Sequence, residues 1–306
     1  MQTPSQTSTS LYNSLHHSNT KEQELINIIL STTLSQRQSI LKHYTSSFPS
    51  PLPKDISSFI SPPLKTPFIN LFSSAVEYDS FLIKKAIKGF SIDIECVYEI
   101  ITTRPFWHLQ LLKQKYHEMF GKDLSTEIEH AISGHIGRDL VILLNTERRS
   151  NTQPDHKQCE ANAKTLVNVN NEESWGSNEE IFHNIFAMSS PEELLLTIRY
   201  YYKQTGVNLI SAVDKKMSSK MKVFFKVMLY AIVNPAELFA DKLHISIMNR
   251  KIAVIERVLI TRNEIDIKKI NEYYKTKYHT ELKHDIQSVV NNSKYYQQLL
   301  IGLCDK

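Results

Sequence analysis

The residues that could do covalent or metal chemistry in this chain are present but not assembled. Cys96, Cys159 and Cys304 are far apart and odd in number, with no CxxC pair, so neither a disulfide framework nor a zinc site is expected. His16-His17 is a histidine pair, yet no cysteine or further histidine stands at ligand spacing from it. There is no phosphate-cradling glycine loop, no GxSxG, no HExxH and no dinucleotide fingerprint, and the Ser, His and Asp residues have no recognisable framework. An enzyme is therefore not expected. Tyr200-Tyr201-Tyr202 and Tyr295-Tyr296 could stack bases, but nothing like a nucleic-acid motif accompanies them. They read as helix-face packing, and nucleic acid is not an expected partner. What remains is charge: a net +4 over 306 residues permits acidic partners without identifying them.

Whatever these side chains do, repeated helices must position them. The segment Ile260 to Tyr274 recurs in degraded form at Thr103 to Tyr116, Ser189 to Tyr202 and Ser31 to Tyr44. Each copy carries an apolar residue nine positions after its opening Ser or Thr, and an aromatic four positions further on. The anchors are Ile40/Tyr44, Leu112/Tyr116, Ile198/Tyr202 and Ile270/Tyr274. Ile40 and Leu112 lie 72 residues apart, as do Ile198 and Ile270, whereas Leu112 and Ile198 lie 86 apart. The chain is thus two pairs of similar units with about 14 extra residues between the pairs.

The anchors repeat at three and four positions, as in Ile267, Ile270, Tyr274 and Tyr278 or Leu109, Leu112, Tyr116 and Phe120, so each lines one helix face. Gly121 suits a helix stop, and Pro105 and Pro191 suit a first helical turn. Further helical stretches run over Leu25 to Leu30, Ile94 to Ile101, Glu179 to Phe186 and Ile252 to Leu259, with others at Leu140 to Leu144 and Phe224 to Ile232. Alternating apolar runs closed by Asn-Gly or Asp-Gly turns are absent. The fold class expected is all-α, with about five short helices per unit. The expected organisation is a mobile tail at 1–10, units at 11–76, 77–146, 159–233 and 234–306, and a polar linker at 147–158. No apolar run reaches transmembrane length and the polar start is not a secretory signal, so a cytoplasmic protein is expected.

Ser35 to Ile40, Gly121 to Leu124, Cys159 to Ala163, Trp175 to Glu180, Thr261 to Asp266 and Leu299 to Cys304 follow one another at this period, and together they resemble segments of the annexin family. Ser35-Gln36-Arg37-Gln38-Ser39-Ile40 is similar to its first-repeat SxxQRQxI, and Gly121-Lys122-Asp123-Leu124 to its GxxL connector. Cys159 to Ala163 and Trp175 to Glu180 resemble the start of its third repeat. Thr261 to Asp266 resembles its TRSEID, and Leu299 to Cys304 its terminal helix. The resemblance runs from about Leu11 to Asp305. It implies a curved disc of four five-helix repeats whose convex-face loops turn toward a membrane.

It also implies calcium, held in each repeat by a KGxGT loop and an acidic residue about forty positions later. Hard Ca²⁺ takes six to eight oxygens, which glycine loops supply as backbone carbonyls and a bidentate carboxylate completes. This sequence departs from that pattern in every repeat. The first loop, His16-His17-Ser18-Asn19-Thr20, lacks glycine, and Ser61-Pro62-Pro63 at the acid position lacks a carboxylate. The second keeps Lys88, Gly89 and Ser91, but His135 replaces its acid. The third keeps Trp175 and Gly176, with Lys220 at the acid position. The fourth, around Arg250 and Lys251, lacks glycine and is shortened, with Lys294 at the acid position. An ammonium has three donors and no lone pair, and imidazole offers nitrogen to an ion that prefers oxygen.

Calcium binding is therefore expected to be weak and no cofactor to be required, with nearby carboxylates such as Asp93 or Glu179 the residual donors. The expected partner is an acidic phospholipid membrane, contacted peripherally through Lys220, Arg250, Lys251, Lys294 and His135, with His16 and His17 as titratable additions and Trp175 as the interfacial anchor. The alternative is a scaffold that kept the fold and binds cytoskeletal or other proteins. Trp107 is expected in the core, and Cys304 as a small buried hydrophobe.

Overall fold

A computed structural model of the chain describes residues 3–19, 21–88, 91–147, 153–170, 175, 179–217, 219–290 and 293–306. Among them every regular element is a helix, and the helices fall into four sets of five. The first set is α1 (Pro4–His17), α2 (Lys21–Ser31), α3 (Leu34–Ser47), α4 (Leu52–Phe59) and α5 (Lys65–Phe72). The second is α6 (Ala75–Lys88), α7 (Ile94–Thr103), α8 (Phe106–Phe120), α9 (Leu124–Ala131) and α10 (His135–Asn145). The third is α11 (His156–Asn170), α12 (Glu179–Phe186), α13 (Pro191–Thr205), α14 (Leu209–Lys216) and α15 (Ser219–Val233). The fourth is α16 (Pro235–Met248), α17 (Ile252–Arg262), α18 (Ile267–Tyr278), α19 (Leu282–Val289) and α20 (Lys294–Cys304).

Residues 1–78 and 236–306 form one compact unit, and residues 79–235 a second. In the first unit α2 packs on α20 and α5 on α17, around a core that includes Leu25, Ile29, Phe68, Phe72, Val258, Leu259 and Leu300. In the second, α7 packs on α15 and α10 on α12, with Tyr98 edge-on to Phe224 at 5.0 Å. Burying such side chains contributes roughly 1.5–3 kcal/mol each, which is what holds short helices that would be marginal alone.

Local signals set the helix ends. Thr33 accepts from the Gln36 backbone N–H while the Gln36 side chain accepts from Thr33 N, a reciprocal cap that starts α3. Gly121 ends α8 at φ 67°, the left-handed conformation expected of it. Two expectations need correction. The segment 1–10 is not a tail throughout: Thr3 and Gln6 form the same reciprocal cap, Pro4 occupies the first helical turn, and α1 runs on with Thr7 and Ser8 buried. The linker is shorter than 147–158, because Asp155 accepts from the backbone N–H groups of Lys157 and Gln158 and α11 begins at His156.

The third helix of each repeat carries the anchors, and one register differs from expectation. Ile40, Tyr44, Leu112, Tyr116, Ile270 and Tyr274 are buried as expected. In the third repeat Thr197 and Tyr201 are buried instead, while Ile198 is half-buried and Tyr202 is 59% exposed. The cause is the cap. The caps Thr33 and Pro105 stand two residues after the openings Ser31 and Thr103, but Ser190, which bonds reciprocally with Glu193 and precedes Pro191, caps α13 only one residue after Ser189, so the helical count runs one residue early. Measured from their caps, Ile40, Leu112 and Thr197 are all seventh helical residues, and Tyr44, Tyr116 and Tyr201 all eleventh.

Each buried tyrosine hydroxyl needs an acceptor. Tyr44 donates to Asp55 at 2.6 Å, Tyr116 to Glu127 at 3.1 Å and Tyr274 to Asp285 at 2.7 Å. Each acceptor is the fourth residue of the following helix. In the third repeat that position is Ala212, and among the described residues the buried Tyr201 hydroxyl has no hydrogen-bond partner. The two situations have opposite energetics. Tyr44→Phe leaves the buried Asp55 carboxylate without that hydrogen bond, with only His16 Nε2 nearby at 3.9 Å, and should cost about 1–3 kcal/mol, whereas Tyr201→Phe removes a donor with no described acceptor and should be neutral or stabilising. Melting temperatures of the two variants check this, and an equal loss in both refutes it.

Candidate functional site

In each repeat two loops concern the expected site: that joining the first and second helices, and that joining the fourth and fifth. In the first repeat, Ser14 and Ser18 both donate to Glu24, which closes the α1–α2 turn. His16 does not face outward as a free charge. It stacks on Tyr12 at 4.1 Å, packs on Phe59 at 4.5 Å and donates through Nδ1 to Tyr12 O at 2.9 Å. His17 is exposed. Ser61, Pro62 and Pro63 are exposed and offer no carboxylate.

In the second repeat Lys88 ends α6 and is exposed, as is Ser91, while Gly89 lies outside the described residues. Asp93 caps α7, its Oδ1 accepting from Cys96 N at 3.1 Å, so this carboxylate already has a structural use. His135 is half-buried at the start of α10, where Arg138 donates to its Nδ1 at 2.9 Å. A guanidinium therefore occupies the lone pair that a metal would need. One turn on, burial pushes the Asp139 carboxyl up, against the opposing contact from His183 Nδ1.

The third repeat corrects the expected anchor. Trp175 is only 1% exposed. Its Nε1–H donates to Val169 O at 3.1 Å, its backbone N–H donates to Lys216 O at 3.1 Å, and its ring lies 4.8 Å from Phe182. A tryptophan packed and satisfied in this way belongs to the core, not to a membrane interface. Gly176 lies outside the described residues, as does the Glu179 side chain. Lys220 is exposed in the first turn of α15.

The fourth repeat is the most completely described. The α16–α17 turn consists of Asn249, Arg250 and Lys251, all exposed, with Arg250 at φ 51°. Its backbone is used internally: Lys251 N donates to Ser246 O at 2.8 Å and Ile252 N to Arg250 O at 3.0 Å. Lys294 is exposed in the first turn of α20. Tyr296 donates to Glu256 at 2.7 Å, joining the early turns of α20 and α17, so Lys251 and Lys294 stand at one end of this repeat. A turn with a committed carbonyl, two cationic side chains and no carboxylate does not fit Ca²⁺. Among the described residues no group of three or more His, Cys, Asp or Glu side chains could hold a metal ion. No described helix is long and apolar enough to cross a membrane.

Sequence reasoning missed two residues here. Ile245 is 56% exposed and Met248 is 65% exposed at the end of α16. The signal was available, since both fall off the buried stripe of Phe239, Ala240, Leu243 and Ile247. Trp107 is a second correction: expected in the core, it is 64% exposed on α8. It is two residues before Leu109, about 200° round the helix from the buried face.

Twenty helices among the described residues, in four sets of five, define a four-repeat helical protein. A family model described as Annexin matches residues 6–66, 78–143 and 239–303, and the chain belongs to the annexin family. The matched ranges omit residues 144–238, which hold the shifted anchor, Tyr201 and Ala212. Human annexin A11 is 28% identical over 287 residues, covering 93% of this chain and 56% of that protein. Human annexin A7 is 26% identical, covering 93% of this chain and 58% of that protein. The chain thus spans little more than half the length of these relatives. Among solved structures, annexin III superposes with a TM-score of 0.90 at 23% identity, covering 100% of this chain and 94% of that one, which shows the shared fold. The family is generally one of calcium-dependent phospholipid-binding proteins.

Proposed function

We propose that the protein docks peripherally on acidic phospholipid membranes through its interhelical loops, with calcium dependence weakened or lost and no catalytic activity. On this reading the repeats span 11–76, 77–146, 159–233 and 234–306, the first extended by the earlier start of α1. One observation carries the reading: Lys220 and Lys294 are exposed where the family pattern has acids, and Arg250 and Lys251 are exposed in the turn that pairs with Lys294. The loop then supplies the positive charge that calcium otherwise brings. Each such cation near an anionic bilayer contributes about 1 kcal/mol at moderate salt.

Sedimentation with phosphatidylserine vesicles tests the proposal. Binding is expected in the presence of chelator, weakening as salt screens the charges and changing little on adding millimolar calcium. Lys220→Glu combined with Lys294→Glu should lower it. Absence of binding in chelator at low salt sinks the reading. A protein-interaction scaffold is the second reading, and the exposed Trp107 and Leu111 on one face of α8 favour it.

A further inference from the structure

We infer that the end of the fourth repeat is a calcium-independent membrane wedge, in which Ile245 and Met248 enter the acyl boundary of an anionic bilayer while Arg250, Lys251 and Lys294 hold its phosphates and carboxylates. The inference rests on the membrane reading above and names the residues that would replace both calcium and the buried Trp175.

Three observations point to this occupant. The first is the apolar pair itself. Ile245 and Met248 are three residues apart, so they share one face of the last turn of α16, and both are more than half exposed. Packing does not account for them, because the same helix buries Phe239, Leu243 and Ile247 on its other side. The second is position. The pair ends against a three-residue turn held tight by Asn249, whose backbone and side-chain N–H groups both donate to Ile245 O, at 3.1 and 2.8 Å. The apolar side chains therefore sit on a rigid tip, and little ordering cost remains when they leave water.

The third observation is charge. No Asp or Glu occurs from Lys242 to Ile255, or from Ile286 to Cys304, and the half-buried Glu256 that follows accepts from Tyr296. Those stretches contribute Arg250, Lys251 and Lys294 to one end of the repeat, and among the described residues none of these three is held in an ion pair. An apolar tip with exposed cations at the same end of the repeat complements an anionic lipid surface, which offers acyl chains beneath a layer of negative charge. A free phosphate would account for the cations but not for Ile245 and Met248.

The test uses the full chain in chelator. Replacing Met248 with cysteine (Met248→Cys) allows an environment-sensitive fluorophore to be attached, since Cys96, Cys159 and Cys304 are all buried. A label at Gln114→Cys, on exposed α8, is the control. On mixed phosphatidylserine–phosphatidylcholine vesicles the Met248 label should shift to the blue and brighten, and the Gln114 label should not. On phosphatidylcholine alone neither should respond. The double variant Ile245→Ser, Met248→Ser should lower vesicle affinity at about 0.5 M salt by on the order of a hundredfold, about tenfold per side chain, without lowering the melting temperature. Arg250→Glu with Lys251→Glu should lower affinity chiefly at low salt, by more than about twentyfold.

The outcomes separate. If the parent chain binds acidic vesicles but the Met248 label stays in water, or the serine variant binds equally well, the wedge is overturned and acidic-membrane docking stands. If the parent chain does not bind acidic vesicles at all, both are overturned.

Discussion

Asp79→Ala should destabilise the protein by about 3–5 kcal/mol, the range for removing one partner from a buried ion pair. Asp79 is buried beneath α8 with both oxygens used. Arg104 donates to it through Nε at 2.8 Å and Nη2 at 2.9 Å, and His108 through Nε2 at 2.8 Å. The alanine leaves a buried guanidinium whose remaining anionic neighbour is Glu99, and the bidentate geometry is lost. Replacing the pair together, as Asp79→Leu with Arg104→Met, removes both charges and should recover most of the loss. Chemical denaturation of the three variants measures this coupling. An Asp79→Ala variant within about 1 kcal/mol of the parent would falsify it.

The same cluster sets a pH dependence. Burial alone would raise the Asp79 carboxyl, but the charge of Arg104 and the hydrogen bonds from His108 and Arg104 outweigh it and hold the group at about 2. A carboxylate whose folded value lies below its unfolded one stabilises the fold above the unfolded value, near 4, and loses that contribution as pH falls towards 2. The loss should be about 2 kcal/mol, confined to that window, and absent from the Leu/Met pair.

Much of this fold was legible because its signals are local. The limits of α12 coincide with the helical stretch expected over Glu179 to Phe186, and Gly121 ends α8 by being the residue that tolerates positive φ. The errors arose where two local signals competed or where the answer was tertiary. The expected register places the cap of α13 two residues after Ser189, as Thr33 follows Ser31, and only the reciprocal bond of Ser190 with Glu193 sets it one residue earlier. Trp175 stands in a polar, glycine-containing stretch that reads as exposed, yet Val169 O satisfies its N–H and Phe182 covers its ring, neither of which spacing reveals. At the candidate site the cations were readable as residue types. Their grouping was not, because Lys251 and Lys294 are brought to one end by a Tyr296–Glu256 bond across 40 residues.

Glu264→Ala should be comparably damaging in the other unit, since Glu264 fastens the first repeat to the fourth. Its carboxylate accepts from Leu34 N at 2.9 Å, from Arg37 Nη2 at 2.9 Å and from Lys306 Nζ at 3.3 Å. Leu34 and Glu264 are 230 residues apart, so these bonds hold together chain that the unfolded state keeps distant. Arg37 is buried, and it also donates to Leu71 O at 2.7 Å and Thr32 O at 2.6 Å. Burial lowers its guanidinium, and Glu264 is what opposes that effect. Without Glu264 the Arg37 charge is unpaired and faces Lys306, whose ammonium is itself lowered by burial and then by Arg37. The alanine should therefore cost about 3 kcal/mol or more, while Glu264→Gln, which keeps an acceptor for Leu34 N but not the charge, should cost somewhat less. Adding Lys306→Ala to the glutamine variant relieves the repulsion and should return part of the loss, although Lys306→Ala alone should be destabilising, since it removes the bonds to Thr32 O and Glu264. That reversal of sign, read from a double-mutant cycle on melting temperatures, separates a charge network from ordinary packing. Strict additivity of the two substitutions would exclude the network.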